Sequence, residues 1–373
     1  MPILIQATGT GPEGRVELTE CFVRVAVPPF DPLNWESFAS NFFDSRTAIT
    51  GMTYANGPAR GSAVSYHGAT LIPDGRVVLG AHLGTRVDLF DPATNTLIPG
   101  PSHGFSGAGA YAGQATLQDG RVMFVPHSAP RIGLFNPTNN SFQQGPTVPG
   151  GPAYHGAVRL LDGRVVLIPW QSATIGIYDP VSDTITAGPA HGRGANAFAS
   201  GCLAPDGRVI LIPYMSTVFG IYNPATNAYT NGPAHGRSPD TYQGARLIRD
   251  GRIVCAPRGA GAVDLFDPET NTRIAGPLLA VQNVGAVCLP TSDVCFVPLL
   301  GNTLRWYNPV SHTVQQSTAV AGWNSPPFVG GCLLPDGRIL FSSWGHTHIG
   351  IVTPNPLIPV DINVLLSPFN NYW

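Results

Sequence analysis

Imidazole, guanidinium and indole groups recur along this chain at regular distances, and these side chains carry most of its potential for chemistry. The hexapeptide Gly-Pro-Ala-His-Gly-Arg occurs twice, bringing His191 with Arg193 and His235 with Arg237, and a related Pro-Ser-His-Gly brings His103. Trp170, Tyr214, Arg258 and Trp344 each follow a short apolar run, as do His82 and His127. His67, His155 and Gln243 each stand one residue before a glycine. Aromatic rings interleaved with arginine and histidine suit stacking and hydrogen-bonded recognition of a sugar or of a protein partner. His346 and His348 occupy alternate positions, which puts both imidazoles on one face of a strand. Neither a carboxylate nor a cysteine accompanies them, so no metal site is expected.

Other chemistries are excluded by composition. All 20 basic residues are arginine, which removes a P-loop lysine, a Schiff-base lysine and a lysine-rich nucleic-acid patch. The net charge of −2 also argues against a nucleic-acid partner. The sequence holds no Gly-x-Ser-x-Gly elbow, no His-Glu-x-x-His and no Gly-x-Gly-x-x-Gly between a strand and a helix. With 43% hydrophobic and 11% charged residues the chain is too apolar for disorder, yet it has no membrane-spanning apolar run. The segment MPILIQATGTGPEGRVEL shows no basic stretch followed by an apolar one, so synthesis in the cytoplasm without a secretory signal is expected. Six cysteines with no Cys-x-x-Cys pair read as inert buried thiols of a reducing compartment. No cofactor is expected.

The elements that position these residues are repeated. Asp-Gly-Arg recurs at Asp74, Asp119, Asp162, Asp206, Asp250 and Asp336, at intervals of 43 to 45 residues except for one double interval. Within that gap Thr291-Ser292-Asp293 stands as a degenerate copy, followed by the usual apolar run Val294–Pro298. Each unit contains four runs of four to seven residues rich in Val, Ile, Leu and Tyr, separated by Asp-Gly, Asp-Pro and Gly-Pro. Such runs are too short and too broken for helices and are predicted as strands. A helical period occurs only around residues 32–44, through Trp35, Phe38, Phe42 and Phe43. Seven four-stranded antiparallel units predict an all-β fold, a seven-bladed β-propeller. A glycine column (Gly68, Gly113, Gly156, Gly201, Gly244, Gly285, Gly331) is expected on the innermost strands, where seven backbones converge.

The last unit stops after its third strand, while Ile49–Pro58 reads as a stray fourth strand. The N-terminal part is therefore expected to complete the last blade, which would otherwise expose an edge. The resulting division is an N-terminal arm over 1–46, a propeller over 47–354 with its closing strand at 47–58, and a C-terminal apolar arm over 355–373.

The Asp-Gly-Arg-Val-Val turn and strand, with Tyr178-Asp179-Pro180 and Phe266-Asp267-Pro268 in the later turn, resemble kelch-like propellers over about 300 residues. Two features depart from that pattern. Pro169-Trp170 and Pro213-Tyr214 replace the double glycine after the second strand, and Leu97, Phe142, Ile185 and Tyr229 replace the fourth-strand tryptophan. The resemblance implies the fold; because some kelch-like propellers are copper-radical oxidases, it also brings that activity in as an alternative.

Strand order sorts the loops onto two faces. The Asp-Gly and Asp-Pro turns share one face, where their carboxylates are explained by bonds to the turn backbone. The opposite face gathers the candidate ligand- or partner-binding set: His103, His155, Trp170, His191, Arg193, Tyr214, His235, Arg237, Arg258, Trp344 and His346. In the arms, Trp35, Phe38, Phe369, Tyr372 and Trp373 are candidate contacts with other subunits. The short loops and missing motifs lead to the expectation that the protein is not an enzyme and acts by binding and assembly. Its arms and compact repeats resemble propeller-bearing tail or fibre-associated proteins of tailed bacteriophages. That resemblance implies a structural or host-recognition role in a virion, with subunits of a larger assembly and a host glycan or receptor as partners. A glycan-binding, lectin-like propeller is the alternative.

Overall fold

Gly-Pro and Asp-Gly punctuation cuts the chain into short strands, and seven four-stranded antiparallel sheets follow from them in sequence order. The fold is a seven-bladed β-propeller. The structure is a computed structural model describing residues 2–10, 16–24, 31, 33–43, 48–60, 65–105, 109–149, 153–259, 261–279, 281–320, 323 and 328–370. Blades 1 to 6 run in order from Ser65 to Gln316, and blade 7 joins Phe328–Leu333, Ile339–Ser343 and His348–Asn355 to Gly51–Ala59. An additional hairpin pairs Pro2–Thr10 with Val16–Arg24, and a helix spans Trp35–Phe42.

Each blade begins with the same local device. In blade 1 the backbone N–H of Arg76 donates to Asp74 Oδ1 at 3.0 Å, while Ile72 N–H donates to the Arg76 carbonyl at 2.9 Å. The side chain thereby replaces backbone acceptors in the tight turn, and Gly75 takes φ +89°. The strand after the turn is buried throughout, as in Val165–Pro169 and Val209–Pro213. The described cysteines form no disulfide and are buried, Cys255 and Cys295 in these strands and Cys202, Cys288 and Cys332 in the strands that precede the turn.

The innermost column is Gly68, Gly113, Gly156, Ser200, Gly244, Gly285 and Gly330. Two expected members, Gly201 and Gly331, lie one residue further along. A Cβ at Gly244 would stand 2.5 Å from the Gly285 Cα, and Gly244 sits at φ +97°. Ser200 is admitted because its hydroxyl accepts the Gly244 N–H of the next blade at 3.0 Å.

Ring closure follows the expected route. Gly51–Ala59 pairs antiparallel with His348–Asn355, with Met52 opposite Pro354 and Ala55 opposite Ile351. This closure also explains the degenerate turn. Arg208 and Arg338 donate to carbonyls of the next blade's outer turn, at Pro268 and Pro92. Beside blade 6 that turn is replaced by the incoming closing segment, which offers an N–H instead. Asp293 occupies the arginine position, and its Oδ2 accepts from Ile49 N–H at 3.4 Å and from Thr291 Oγ1 at 2.6 Å. The geometry exchanges a donor for an acceptor.

The C-terminal arm folds back onto the turn face. Val360 N–H bonds the Pro335 carbonyl at 2.9 Å. Arg159, on an inner strand, donates both to the Thr116 carbonyl and to Leu366 of the arm. Phe369 meets Trp35 at 5.5 Å and Phe38 at 5.8 Å between ring centroids. Phe38 and Phe369 are 2% and 3% exposed, so these two expected assembly contacts are core residues of this chain itself. Their apolar area is buried locally, which removes the reason for seeking a partner. Trp35 is half-buried in the same cluster, and Tyr372 and Trp373 lie outside the described residues.

Candidate ligand site at the channel mouth

Where each second strand ends, one side chain per blade emerges in equivalent register: His82, His127, Trp170, Tyr214, Arg258, Leu299 and Trp344. All seven are half-buried. The inner strands add His67, His155 and Gln243 just before the column glycines. These groups form a nearly continuous belt. Trp344 lies 4.4 Å from His82, His82 5.9 Å from His127, and His127 5.8 Å from His155. His155 then stacks on Trp170 at 4.7 Å, and Trp170 meets Tyr214 at 4.7 Å. The Arg258 guanidinium covers the Tyr214 ring at 5.1 Å. His67 closes the inner circle, 5.0 Å from His82 and 5.1 Å from His155.

The electrostatics are set by burial. Desolvation pushes His82 down to about 4 and His155 down to about 3, and it also lowers His67 and His127. At neutral pH the mouth therefore presents uncharged imidazoles. His82 Nδ1 lies 3.2 Å from the Tyr111 carbonyl and His155 Nδ1 3.0 Å from the Ala199 carbonyl, so each Nδ1 carries the proton and each Nε2 is the acceptor nitrogen. Arg258 Nη1 donates to Gln243 Oε1 at 2.6 Å, and its Nε stands 3.1 Å from Asp240 Oδ1. Burial, assisted by Asp240, raises Tyr214 to about 12, so its hydroxyl remains a donor.

Of the expected set, His155, Trp170, Tyr214, Arg258 and Trp344 come together here. The others serve the loops. His191 Nε2 bonds the Ser172 carbonyl at 2.8 Å while its Nδ1 accepts Arg193 N–H at 3.2 Å. His235 repeats this with Ser216 and Arg237 N–H, and His103 with Gly84 and Phe105 N–H. Both ring nitrogens are consumed, so these three imidazoles pin their own loops. Arg193 Nε bonds Asn231, and Arg237 grips the buried Asp264 through two bonds at 2.9 and 2.7 Å. His346 Nδ1 accepts His348 N–H, and its carbonyl accepts from Arg60. His67, His82, His127 and Gln243 are the members under-weighted in sequence. The signal for them is their place in the repeat, directly after the second strand or before the column glycine.

Among the described residues no group of three or more His, Cys, Asp or Glu side chains is placed to hold a metal ion. The described thiols lie in strands, where burial raises Cys202 to about 12. Tyr242 has Cys255 as a neighbour and His235 5.8 Å away, but its hydroxyl is committed to Asp264 and both His235 nitrogens to their own loop, so this grouping is not arranged as the tyrosine, histidine and modified-cysteine centre of a copper-radical oxidase.

No known family model matches the chain, and no curated protein does. Solved structures do share its fold. An inactive histidine-to-alanine variant of virginiamycin B lyase from Staphylococcus aureus, with quinupristin, is similar at TM-score 0.71 and 13% identity, over 81% of this chain and 99% of that one. A streptogramin B lyase is similar at 0.70 and 16%, over 83% and 100%. A fungal alcohol oxidase of the AA5 family, in complex with copper, is similar at 0.63 and 12%, over 82% and 79%. At these identities the likeness establishes the fold. It also overturns the expectation of a non-enzymatic protein, because this fold is one on which lyases and an oxidase are built.

Proposed function

We propose that this propeller recognises a saccharide at its channel mouth. The observation that carries the reading is the belt from Trp344 through His82, His127, His155, Trp170 and Tyr214 to Arg258, with neighbours 4.4 to 5.9 Å apart. Half-buried aromatic faces offer flat apolar platforms, and uncharged imidazoles beside them offer directed donors and acceptors, the pairing that a hydroxylated ring needs. A glycan array tests it. Selective binding that weakens about tenfold or more in Trp170→Ala and Trp344→Ala supports the site, a loss of roughly 1.4 kcal/mol each. An array with no signal removes it.

A second reading, turnover of the bound ligand, is favoured by the tautomer of His82, whose Nε2 is a lone-pair bearer able to take a proton. Mass spectrometry of bound glycans after incubation, compared with His82→Ala, tests it: product that disappears in the variant supports turnover, and product that persists or never forms removes it.

The kelch-like kinship rests on the turn residues of the repeat, and a place in a phage virion rests on analogy of fold and composition. Burial of Phe38 and Phe369 withdraws two of the five arm residues that argued for virion assembly, while host-surface glycan binding is compatible with the mouth as described.

A further inference from the structure

Charge is divided unequally between the two faces. Within the blades, Arg86, Arg131, Arg193, Arg237, Arg258 and Arg305 stand on the mouth side, against the acids Asp88, Asp240 and Asp264. Arg131 is held by the Gly145 carbonyl and Arg193 by Asn231, so neutral acceptors leave their charge uncompensated there. Asp88 and Asp264 are buried and already gripped by arginines. The turn side has the opposite balance. Its Asp-Gly-Arg turns pair one acid with one base, as in Asp74 with Arg76, and beyond these pairs Asp91, Asp179, Asp183, Asp267, Glu269 and Asp293 outnumber Arg159, Arg246, Arg249 and Arg273. A field of this polarity draws anions to the mouth.

At the mouth one guanidinium is placed to read an anion. Arg258 is 27% exposed at its side chain, lies over Tyr214, and has Nη1 oriented by Gln243. Asp240 Oδ1 stands 3.1 Å from its Nε and Gln243 takes one Nη1 proton, which leaves Nη2 and the second Nη1 proton as the fork that binds a carboxylate through two parallel bonds. The ring carrying that carboxylate would lie against the solvent-facing parts of Tyr214 and Trp170, which pack on each other at 4.7 Å between centroids. We propose that the saccharide taken by the mouth is acidic: a uronate whose carboxylate is bound by Arg258 while its ring stacks on the neighbouring aromatic side chains. The inference rests on the mouth being a saccharide site and adds the charge of the ligand.

Calorimetric titration of the full chain tests it with galacturonate, glucuronate and mannuronate oligomers, each beside its carboxyl-reduced counterpart. At least one acidic oligomer binds tenfold or more tightly than its reduced partner, and Arg258→Gln brings that ratio close to one. Arg258→Lys, which keeps the charge but loses the fork, falls between; unchanged melting temperatures confirm that both variants fold. Equal affinities within every pair, or a preference that survives Arg258→Gln, overturn the acidic assignment and leave the saccharide site standing. Binding of neither member of any pair overturns both.

Discussion

Two kinds of histidine are distinguished by what their ring nitrogens do. In His191 and His235 both nitrogens are spent within the loop, on a carbonyl nineteen residues back and on an N–H two residues on. In His82 and His155 Nδ1 lies against a backbone carbonyl of the neighbouring blade, and the ring sits in the belt. Acid stability follows from the second kind. Burial holds His82 and His155 at about 4 and about 3, below the value of about 6.5 of an unfolded chain. The unfolded state therefore binds protons that the folded state refuses, and the stability contribution is intact above about pH 6.5 and lost as pH falls through these two values. A thermal-melt series from pH 7 to 4 is expected to fall less steeply for His155→Gln than for the parent chain. Identical slopes would contradict the assignment.

At the scale of the strand, the repeat is adjusted in pairs. Where the third strand carries Gly176 or Gly220, the ring of Tyr154 or Phe198 packs on the bare backbone. In blades 1 and 5 that position holds Asp88 and Asp264, and Tyr66 and Tyr242 donate their hydroxyls to them. Burial acts to raise the Asp264 pKa, but bonds from Arg237, Arg273 and Tyr242 outweigh it and hold the group below the usual range. Asp264→Ala leaves two arginines and a hydroxyl facing an empty centre, and a loss of about 3–5 kcal/mol is expected in denaturant unfolding. Asp293 has the opposite balance. Burial raises its pKa, with partial relief from Thr291 and Ile49. Asp293→Asn keeps an acceptor for Ile49 without a buried charge and is expected to be neutral or stabilising. Asp293→Ala strands that N–H, at a cost of about 1–3 kcal/mol.

For the whole molecule, a single strand from the beginning of the chain holds the ring shut. Without Gly51–Ala59 the His348–Asn355 strand becomes an unpaired edge, a template for association with other chains. Replacing residues 51–59 by a Gly-Ser linker is expected to abolish a single cooperative melt and produce aggregation. A circular permutant that places 48–60 directly after Asn355 should restore both properties. Retained cooperativity in the linker variant would show that closure contributes little.

The blade count, the turns and the stitched last blade were legible in the sequence because each depends on local chemistry repeated at a constant interval: Asp-Gly for a tight turn, a short apolar run bounded by Gly and Pro for a strand, a stray fourth strand with no other partner. The fate of the histidines was not legible. His191 and His155 look alike in a list of residues, and only the packed ring shows that one braces a loop while the other lines a mouth. Phe38 and Phe369 misled for the same reason, since apolar sequence records a need for burial without saying which surface meets it; here these two meet each other. The exchange of Arg for Asp at position 293 became intelligible once the closing segment was seen beside it. Short-range order follows from residues that are neighbours in the chain, whereas the site and the closure are made by groups up to 305 residues apart, whose meeting is decided by how seven blades pack around one axis.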